Sequence, residues 1–484
     1  MGALVSIVSK HGRNVVKSAV KMLSALRHRG TDLHGISTGK ITVITKDIGE
    51  LNNLPVESSI VLGYNFSHRL PNDIPQPIEV KNFRVIFDGR IFSPCYEKTS
   101  FIDLIEQSVE IEETLKNIIR EVRGSFSFMI LDHDKLFVGR DPIGAIPLYF
   151  CENDQFYALA SERKALWLLG MKNDCIKSFP PGNLAKITSE DMRIQPVKIL
   201  ERSELKYVNE REAIEKMYNL LLRAVEDRIA DLERVSISFS GGLDSSIIAA
   251  LVREKVKNAL LISVGLEGSR DLENAEKIAG EIGLPFKAET YTPSDVVETL
   301  PRVLWLIEEA NALKASICIP EFWSAETSSR MGYRVMLSGQ GSDEIFAGYH
   351  KYLKEYSKSP NLVEQTLYHD TLKLYKNSLE PEEKICSFHN VEARFPYADF
   401  DLASFALSLP ITLKISSSKD PLRKRILRRL AEYIGLPADV YLKPKKAIQY
   451  GTGVSQALKK IAKENGLNMQ SFINQVFKNI VWIK

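Results

Sequence analysis

Cysteine is scarce: Cys95, Cys151, Cys175, Cys318 and Cys386 are scattered over 484 positions with no C-x-x-C pair. An odd, unpatterned set argues against a disulfide framework and a zinc knuckle, and predicts a reducing, cytoplasmic setting. A surplus of one charge is lacking as well. Lys and Arg number 64 against 61 Asp and Glu, a net charge of +3, which gives no reason to expect nucleic acid or an anionic membrane as partner. No apolar run approaches the roughly 18 residues of a membrane span. The opening MGALVSIVSKHGR does not have the order of a secretory signal. It fits the acylation pattern M-G-x-x-x-S/T, but reads better as a first strand. Also missing is any G-x-x-x-x-G-K-S/T motif, which disfavours a γ-phosphoryl-transfer NTPase.

What is present is an ordinary globular composition, 44% hydrophobic and 26% charged, in a chain long enough for two to four domains at about 100–200 residues each. Residues 1–190 alternate short β-rich runs (LVSIVS, SIVLGYNFS, FRVIFDGRIF, SFSFMILD, KLFVGRD, FYALAS, NLAKIT) with two helical stretches, NVVKSAVKMLSALRHRG and TLKNIIREVRG. That pattern predicts a layered α+β domain, mostly antiparallel. A polar passage near 190–210 marks a boundary. Beyond it come strand RVSISF, turn SGGLDSS, helix SSIIAALVREKV, strand ALLISVGL, helix DLENAEKIAGEIG, strand PFKAETY, further helices and strand YRVMLSG. A run of βα units resolves as a parallel sheet, with ligands at the carboxyl ends of its strands. From about 350 the chain is helical and polar.

Chemistry concentrates at two strand ends. In Ser240-Gly241-Gly242-Leu243-Asp244-Ser245-Ser246, two glycines let backbone amides approach an anion closely, and the following helix adds positive potential. A polyphosphate suits this loop, and Asp244 beside it calls for a cation such as Mg2+ between like charges. About 100 residues on, Ser338-Gly339-Gln340-Gly341-Ser342-Asp343-Glu344 follows a second strand. A helix N-terminus accounts for its acids but not for its glycine spacing. Asp343 is expected to face the same crevice as Asp244, the two forming a divalent-metal clamp.

SFSGGLDSS resembles the PP-loop of the N-type ATP pyrophosphatases. With SVGLEGSRDLENAEKIA, LSGQGSDEIFAGY and VEARFPYAD it is similar to the synthetase domain of the asparagine synthetase family. The first half resembles that family too, in LRHRGTD (family RHRGPD), SHRL, FDGRIF (family NGEIYN), GSFSFMILD, VGRDPIGAIPLYF and ALASERKAL. The resemblance implies an Ntn-type layered glutaminase-like domain, 1–190. It implies next, at 205–484, a PP-loop domain of adenine nucleotide alpha hydrolase type, with a helical C-terminal part. It also implies an ATP-dependent, AMP-forming synthetase that adenylates a small-molecule carboxylate, with aspartate presumed, and amidates it with ammonia or an amine. Position by position, Ser240, Gly241, Gly242, Asp244 and Ser245 would hold pyrophosphate, and Asp244 with Asp343 would hold magnesium. Val264, Ser338 and Gly339 would lie near the nucleotide, and Lys445 would neutralise charge developing on the phosphates. Pairing of relatives through their first domain implies a homodimer.

The chain departs from the family at telling positions. The family's glutaminase begins MCGI with a cysteine nucleophile; here Gly2 stands in that place and has no side chain to attack with. Asp88-Gly89-Arg90 replaces Asn-Gly-Glu, so Asp88 opposes an oxyanion and Arg90 opposes the ammonium of glutamine. Arg69 is kept, and Cys95 lies beyond the altered motif. A pseudo-glutaminase is expected. In the synthetase, Gln340 replaces a family glutamate that acts as base or ammonium binder, and a carboxamide cannot take a proton. Glu344 and Glu392 are the candidates to take over. These changes leave open a different acid or amine, or a nucleotide-binding regulatory subunit without catalysis.

Overall fold

The structure, a computed structural model, describes residues 2–93, 101–202, 209–444 and 448–481. Cys95 and Lys445 lie outside them. The chain divides into two compact units, Met1–Ile199 and Leu200–Lys484.

The first unit is built on two antiparallel sheets. One has seven strands in the order Lys177–Ser178, Tyr149–Glu152, Phe156–Ala160, Gly2–Ser9, Ile60–Phe66, Leu33–Ser37 and Thr42–Thr45. The other has six: Met192–Pro196, Asn183–Ile187, Lys135–Arg140, Arg123–Asp132, Phe83–Ser93 and Ile78–Val80. Side-chain alternation along Gly2–Ser9 assigns the layers. Ala3, Val5 and Ile7 pack on Val16, Ala19, Val20 and Leu23 of helix Val16–Ala25. Leu4 and Val8 turn the other way and meet Ile86, Met129, Leu131 and Val138 of the second sheet. That sheet's far face, Phe126, Phe128 and Ile130, is covered by Phe101, Ile105, Leu115, Ile118 and Ile119 from two helices. The result is a helix–sheet–sheet–helix sandwich. With both faces covered, every residue of Gly2–Ser9 is buried, which explains why GALVSIVS is apolar or small throughout.

The second unit holds a five-stranded parallel sheet in the order Phe286–Tyr291, Asn258–Leu266, Arg234–Ser238, Val335–Leu337 and Glu392–Arg394. The chain starts at the central strand, builds outward on one side, then crosses to build on the other. Between Arg234–Ser238 and Val335–Leu337 the strand order reverses, the place where open parallel sheets receive ligands at the carboxyl ends of their strands.

Among the strands absent from the sequence reading, two are instructive. Met192–Pro196, inside the polar boundary passage, is an edge strand with a partner on one side, so nothing requires it to be apolar. Glu392–Arg394, inside the helical stretch, pairs with Val335–Leu337. Its charges are matched internally, Arg394 Nε donating to Glu392 Oε1 at 2.7 Å and Arg394 Nη1 to Asp231 Oδ1 at 2.7 Å. Among the described residues no helix is long and apolar enough to cross a membrane.

Candidate functional site

The loop after Arg234–Ser238 is shaped by its glycines. Gly241 has φ +63°, and a Cβ there would lie 2.8 Å from the Ala275 Cα, so the turn excludes any side chain. The loop closes on itself: the Ser240 N–H donates to Ser245 Oγ at 3.3 Å, the Gly242 N–H to Ser240 Oγ at 3.3 Å, and Ser245 Oγ to the Gly242 carbonyl at 3.3 Å. Helix Leu243–Val252 then begins with Gly242 as its cap and no side-chain capping bond. Its first amides keep their capacity for an anion. Val264 lies alongside, two residues beyond the Ser238↔Ile262 pair, and is 6% exposed.

The second loop follows Val335–Leu337 across the switch point. Gly339 comes close to the first loop: a Cβ on it would lie 3.2 Å from the Asp244 Cβ. Asp244 and Asp343 meet, and they meet on a cation. Lys424 Nζ donates to both oxygens of Asp244 at 2.7 Å, to Ser342 Oγ at 2.7 Å, and lies 2.5 Å from Asp343 Oδ1. Its side chain is 1% exposed. Gly348 makes this possible, since a Cβ there would fall 1.8 Å from Asp343 Oδ1 and 2.3 Å from Lys424 Cε. Tyr397, from VEARFPYAD, donates its hydroxyl to the Asp244 carbonyl at 3.2 Å.

Lys424 has no counterpart in the sequence reading, which looked to Lys445 for the cation. Its backbone is held in an uncommon state: Arg423 and Lys424 have φ of 52° and 50°, a left-handed conformation that costs non-glycine residues about 1 kcal/mol or more each. The surroundings impose it. Asp420 Oδ1 accepts from the Leu422 and Arg423 amides at 2.8 and 3.1 Å. Arg428 donates to the carbonyls of Leu422 and Arg423, and through Nη1 to those of Tyr441 and Lys443 at 2.7 and 2.9 Å. One guanidinium thus ties the Lys424 turn to the segment leading toward position 445. A sequence signal did exist: RKRILRR puts basic residues at the start of helix Arg425–Tyr433, where the helix dipole disfavours them.

Gln340 reaches the other way. Its Nε2 donates to Glu321 Oε1 at 2.6 Å, while Ser338 Oγ donates to Glu382 Oε2 at 2.9 Å. These glutamates come from helices Ala312–Arg330 and Glu380–Phe388, and both are buried, 3% and 1% exposed. Burial raises both carboxyls, Glu382 to about 7 and Glu321 well above the usual range, and repulsion from Glu382 adds to the latter. Cys318 beside Glu321 is raised in the same way, by burial and by that carboxylate. The expected substitutes for the family glutamate are bonded to other groups. Glu344 accepts from Tyr349 Oη at 2.8 Å and Ser378 Oγ at 2.6 Å, and Glu392 is bound to Arg394.

The raised Glu382 carboxyl has a consequence for stability. Folded, it titrates at about 7; unfolded, at roughly 4.3. In that interval the native state binds more protons, so stability falls as pH rises, and the penalty is complete above about pH 7. Glu382→Gln, which still accepts from Ser338, is therefore expected to raise the melting temperature at pH 8 and to leave it nearly unchanged at pH 4.5. A gain no larger at pH 8 than at pH 4.5 would show that the Glu382 carboxyl is not raised.

In the first unit, the altered glutaminase positions form a buried charge network. Asp88 Oδ1 accepts from the Gly2 amide at 2.9 Å, and Asp88 Oδ2 lies 3.4 Å from Arg29 Nη2. Arg29 also donates through Nε to the Gly2 carbonyl at 2.9 Å and pairs with Glu162 at 3.2 Å. His28 and Lys164 bind the same Glu162. Arg90 pairs with Asp73 at 2.5 Å, and Arg69 Nη2 donates to the Arg29 carbonyl at 3.3 Å. The Asp88 charge, expected to oppose an oxyanion, is thus matched by Arg29.

The asparagine synthase family model matches residues 216–364 and 356–479, and a glutamine amidotransferase domain model matches residues 72–167. A Methanocaldococcus jannaschii protein provisionally named a glutamine-hydrolysing asparagine synthetase is 28% identical over 544 aligned positions, covering 99% of each chain. The glutamine-hydrolysing asparagine synthetase B of Escherichia coli K12 is 26% identical, covering 94% of this chain and 83% of its own. An Asparagus officinalis glutamine-hydrolysing asparagine synthetase is 27% identical, covering 89% and 73%.

Proposed function

This chain belongs to the asparagine synthase family, and from that premise we propose that it joins ammonia to a carboxylic acid, aspartate first among candidates, through an acyl-adenylate, without hydrolysing glutamine in its own first unit. One observation carries the reading: Asp244 and Asp343, from loops at adjacent strand ends, converge on a single cation. A binding module for an uncharged ligand has no use for that arrangement. A reaction that splits a polyphosphate does, because charge builds up on the leaving pyrophosphate.

In this reading the loop Ser240–Ser245 and the start of helix Leu243–Val252 receive the pyrophosphate. Lys424 and Lys445 balance its charge. Ser338 and Gly339 wall the nucleotide on the far side of the crevice, with Val264 near the adenosine. Among the described residues no group of three or more His, Cys, Asp or Glu could hold a metal. The two carboxylates nonetheless suit Mg2+, which would displace the Lys424 ammonium from between them toward the phosphates and take the remainder of its ligands from phosphate and water. Asp244 and Asp343 would hold it, and when bound it screens the triphosphate. Gly2 and the internally paired Asp88 and Arg90 support the absence of glutamine hydrolysis.

The test is pyrophosphate exchange into ATP in the presence of Mg2+ and one carboxylic acid at a time, without a nitrogen source. Exchange dependent on aspartate is expected, with conversion to the amide on adding ammonium and none on adding glutamine. Silence across aspartate and a panel of other acids would end the reading. Exchange with another acid alone would keep the chemistry and change the substrate.

A further inference from the structure

The stretch 338–340 touches two places at once. Gly339 abuts Asp244, and on either side of it Ser338 and Gln340 bond to Glu382 and Glu321. Two buried carboxylates within reach of one loop are costly, and among the described residues neither accepts a hydrogen bond from a lysine or arginine. Glu382 Oε1 and Glu321 Oε2 are sealed from solvent and accept no hydrogen bond from the described residues. What now answers Glu321 is the carboxamide nitrogen of Gln340, a neutral N–H donor 2.6 Å away, together with the Cys318 thiol. A donor with more N–H groups and a positive charge would meet the unused oxygens as well. Such a donor must be compact, because those oxygens are enclosed.

Resting on the synthetase reading above, we propose that Glu321 and Glu382, bridged by Gln340, form the site that binds ammonium for attack on the acyl-adenylate. The acid that the family carries at position 340 is here supplied from behind it, by two helices. The pair accepts one proton from ammonium, leaving ammonia with a free lone pair. That nitrogen forms the C–N bond to the acyl carbon, the C–O bond to AMP breaks with its electrons on the phosphate oxygen, and the second nitrogen proton passes to the AMP phosphate. Burial prepares the pair for this, since Glu382 titrates near neutrality and Glu321 higher. Because the unused oxygens are shielded from solvent, the site assigns compact ammonium rather than a bulkier amine as the nitrogen substrate.

Thallium(I), a monovalent cation of ammonium-like size with strong anomalous scattering, reads the site without any turnover. In crystals of the full chain soaked with a thallium(I) salt, an anomalous peak is expected against Glu321 and Glu382, displaced by ammonium and missing in Glu382→Gln. No peak in the wild type would overturn the site whatever the enzyme catalyses; a peak in a protein without pyrophosphate exchange would overturn the synthetase reading and keep the cation site. In kinetics, Glu382→Gln and Glu321→Gln are expected to keep acid-dependent pyrophosphate exchange within about threefold while ammonium-dependent amide formation falls ~100-fold or more. The KM for ammonium is expected to rise. Gln340→Glu added to Glu321→Gln returns a carboxylate to the same pair and is expected to recover about tenfold of that loss. Exchange and amide formation falling together, or neither falling, would assign the glutamates to the scaffold and overturn the inference.

Discussion

Replacing Lys424 by methionine is expected to cut pyrophosphate exchange by roughly 10²–10³-fold and to destabilise the second unit by about 3 kcal/mol in chemical denaturation. Both effects follow from one geometry. The Lys424 ammonium, 1% exposed, is shared by Asp244, Asp343 and Ser342. Without it two carboxylates, each 19% exposed, face one another with that charge gone. Asp244→Asn separates the two effects: it leaves Lys424 paired with Asp343, so it is expected to fold normally and still lose exchange. A divalent cation can take over the vacated position, so MgATP is expected to raise the melting temperature of Lys424→Met more than that of the wild type. Wild-type exchange in Lys424→Met would remove the lysine from the site. An unchanged denaturation midpoint would mean that solvent already screens the two aspartates.

How much of this was legible in the sequence depends on whether the information was local. SGGLDSS between an apolar strand and a helix declares itself, because the turn, the glycines and the strand end are contiguous. The layered antiparallel half was legible for the same reason: alternation within each short run fixes which face is buried. The meeting of Asp244 and Asp343 could be anticipated from strand order alone, since both follow strands that flank the reversal of the sheet. Lys424 could not be placed that way. It sits at the head of a helix in a polar region, and its role depends on two left-handed residues and on Arg428, none of which has a periodic signature. Glu321 and Glu382 are 61 positions apart on helices that read as ordinary. Their meaning comes from packing against one loop, and a hydrophobic pattern carries no trace of an acid buried on purpose.

Charge arrangement separates the two halves of the molecule. In the second unit, charged groups are left poised: one lysine shared by two aspartates, and two glutamates with unused oxygens. In the first, the charges at the altered glutaminase positions are consumed by one another, Asp88 by Arg29 and the Gly2 amide, Arg90 by Asp73. A site kept for ionic chemistry retains incomplete pairing, because its missing partner is the substrate. Networks paired mainly among themselves stabilise a scaffold and leave less for a ligand.

That contrast sets the expected outcome of restoring the nucleophile. Gly2→Cys is expected to give no glutamine hydrolysis above wild type and no labelling of position 2 by a thiol-directed electrophile, while destabilising the first unit by about 2 kcal/mol. A Cβ at position 2 would fall 1.7 Å from the Asn65 carbonyl oxygen on the neighbouring strand, far inside contact distance. Asn65 cannot yield easily, since its side chain bonds to His34 Nδ1 at 2.7 Å and to the Leu23 carbonyl at 2.8 Å. A cysteine therefore enters only by prising apart the two central strands of the seven-stranded sheet. Adding Asp88→Asn and Arg90→Glu restores the family residues at those positions and is expected to change nothing, for the Asn65 obstruction remains. Glutamine hydrolysis proportional to the amount of Gly2→Cys would show instead that the strands separate readily. The loss of the glutaminase would then be a single missing thiol rather than a closed site.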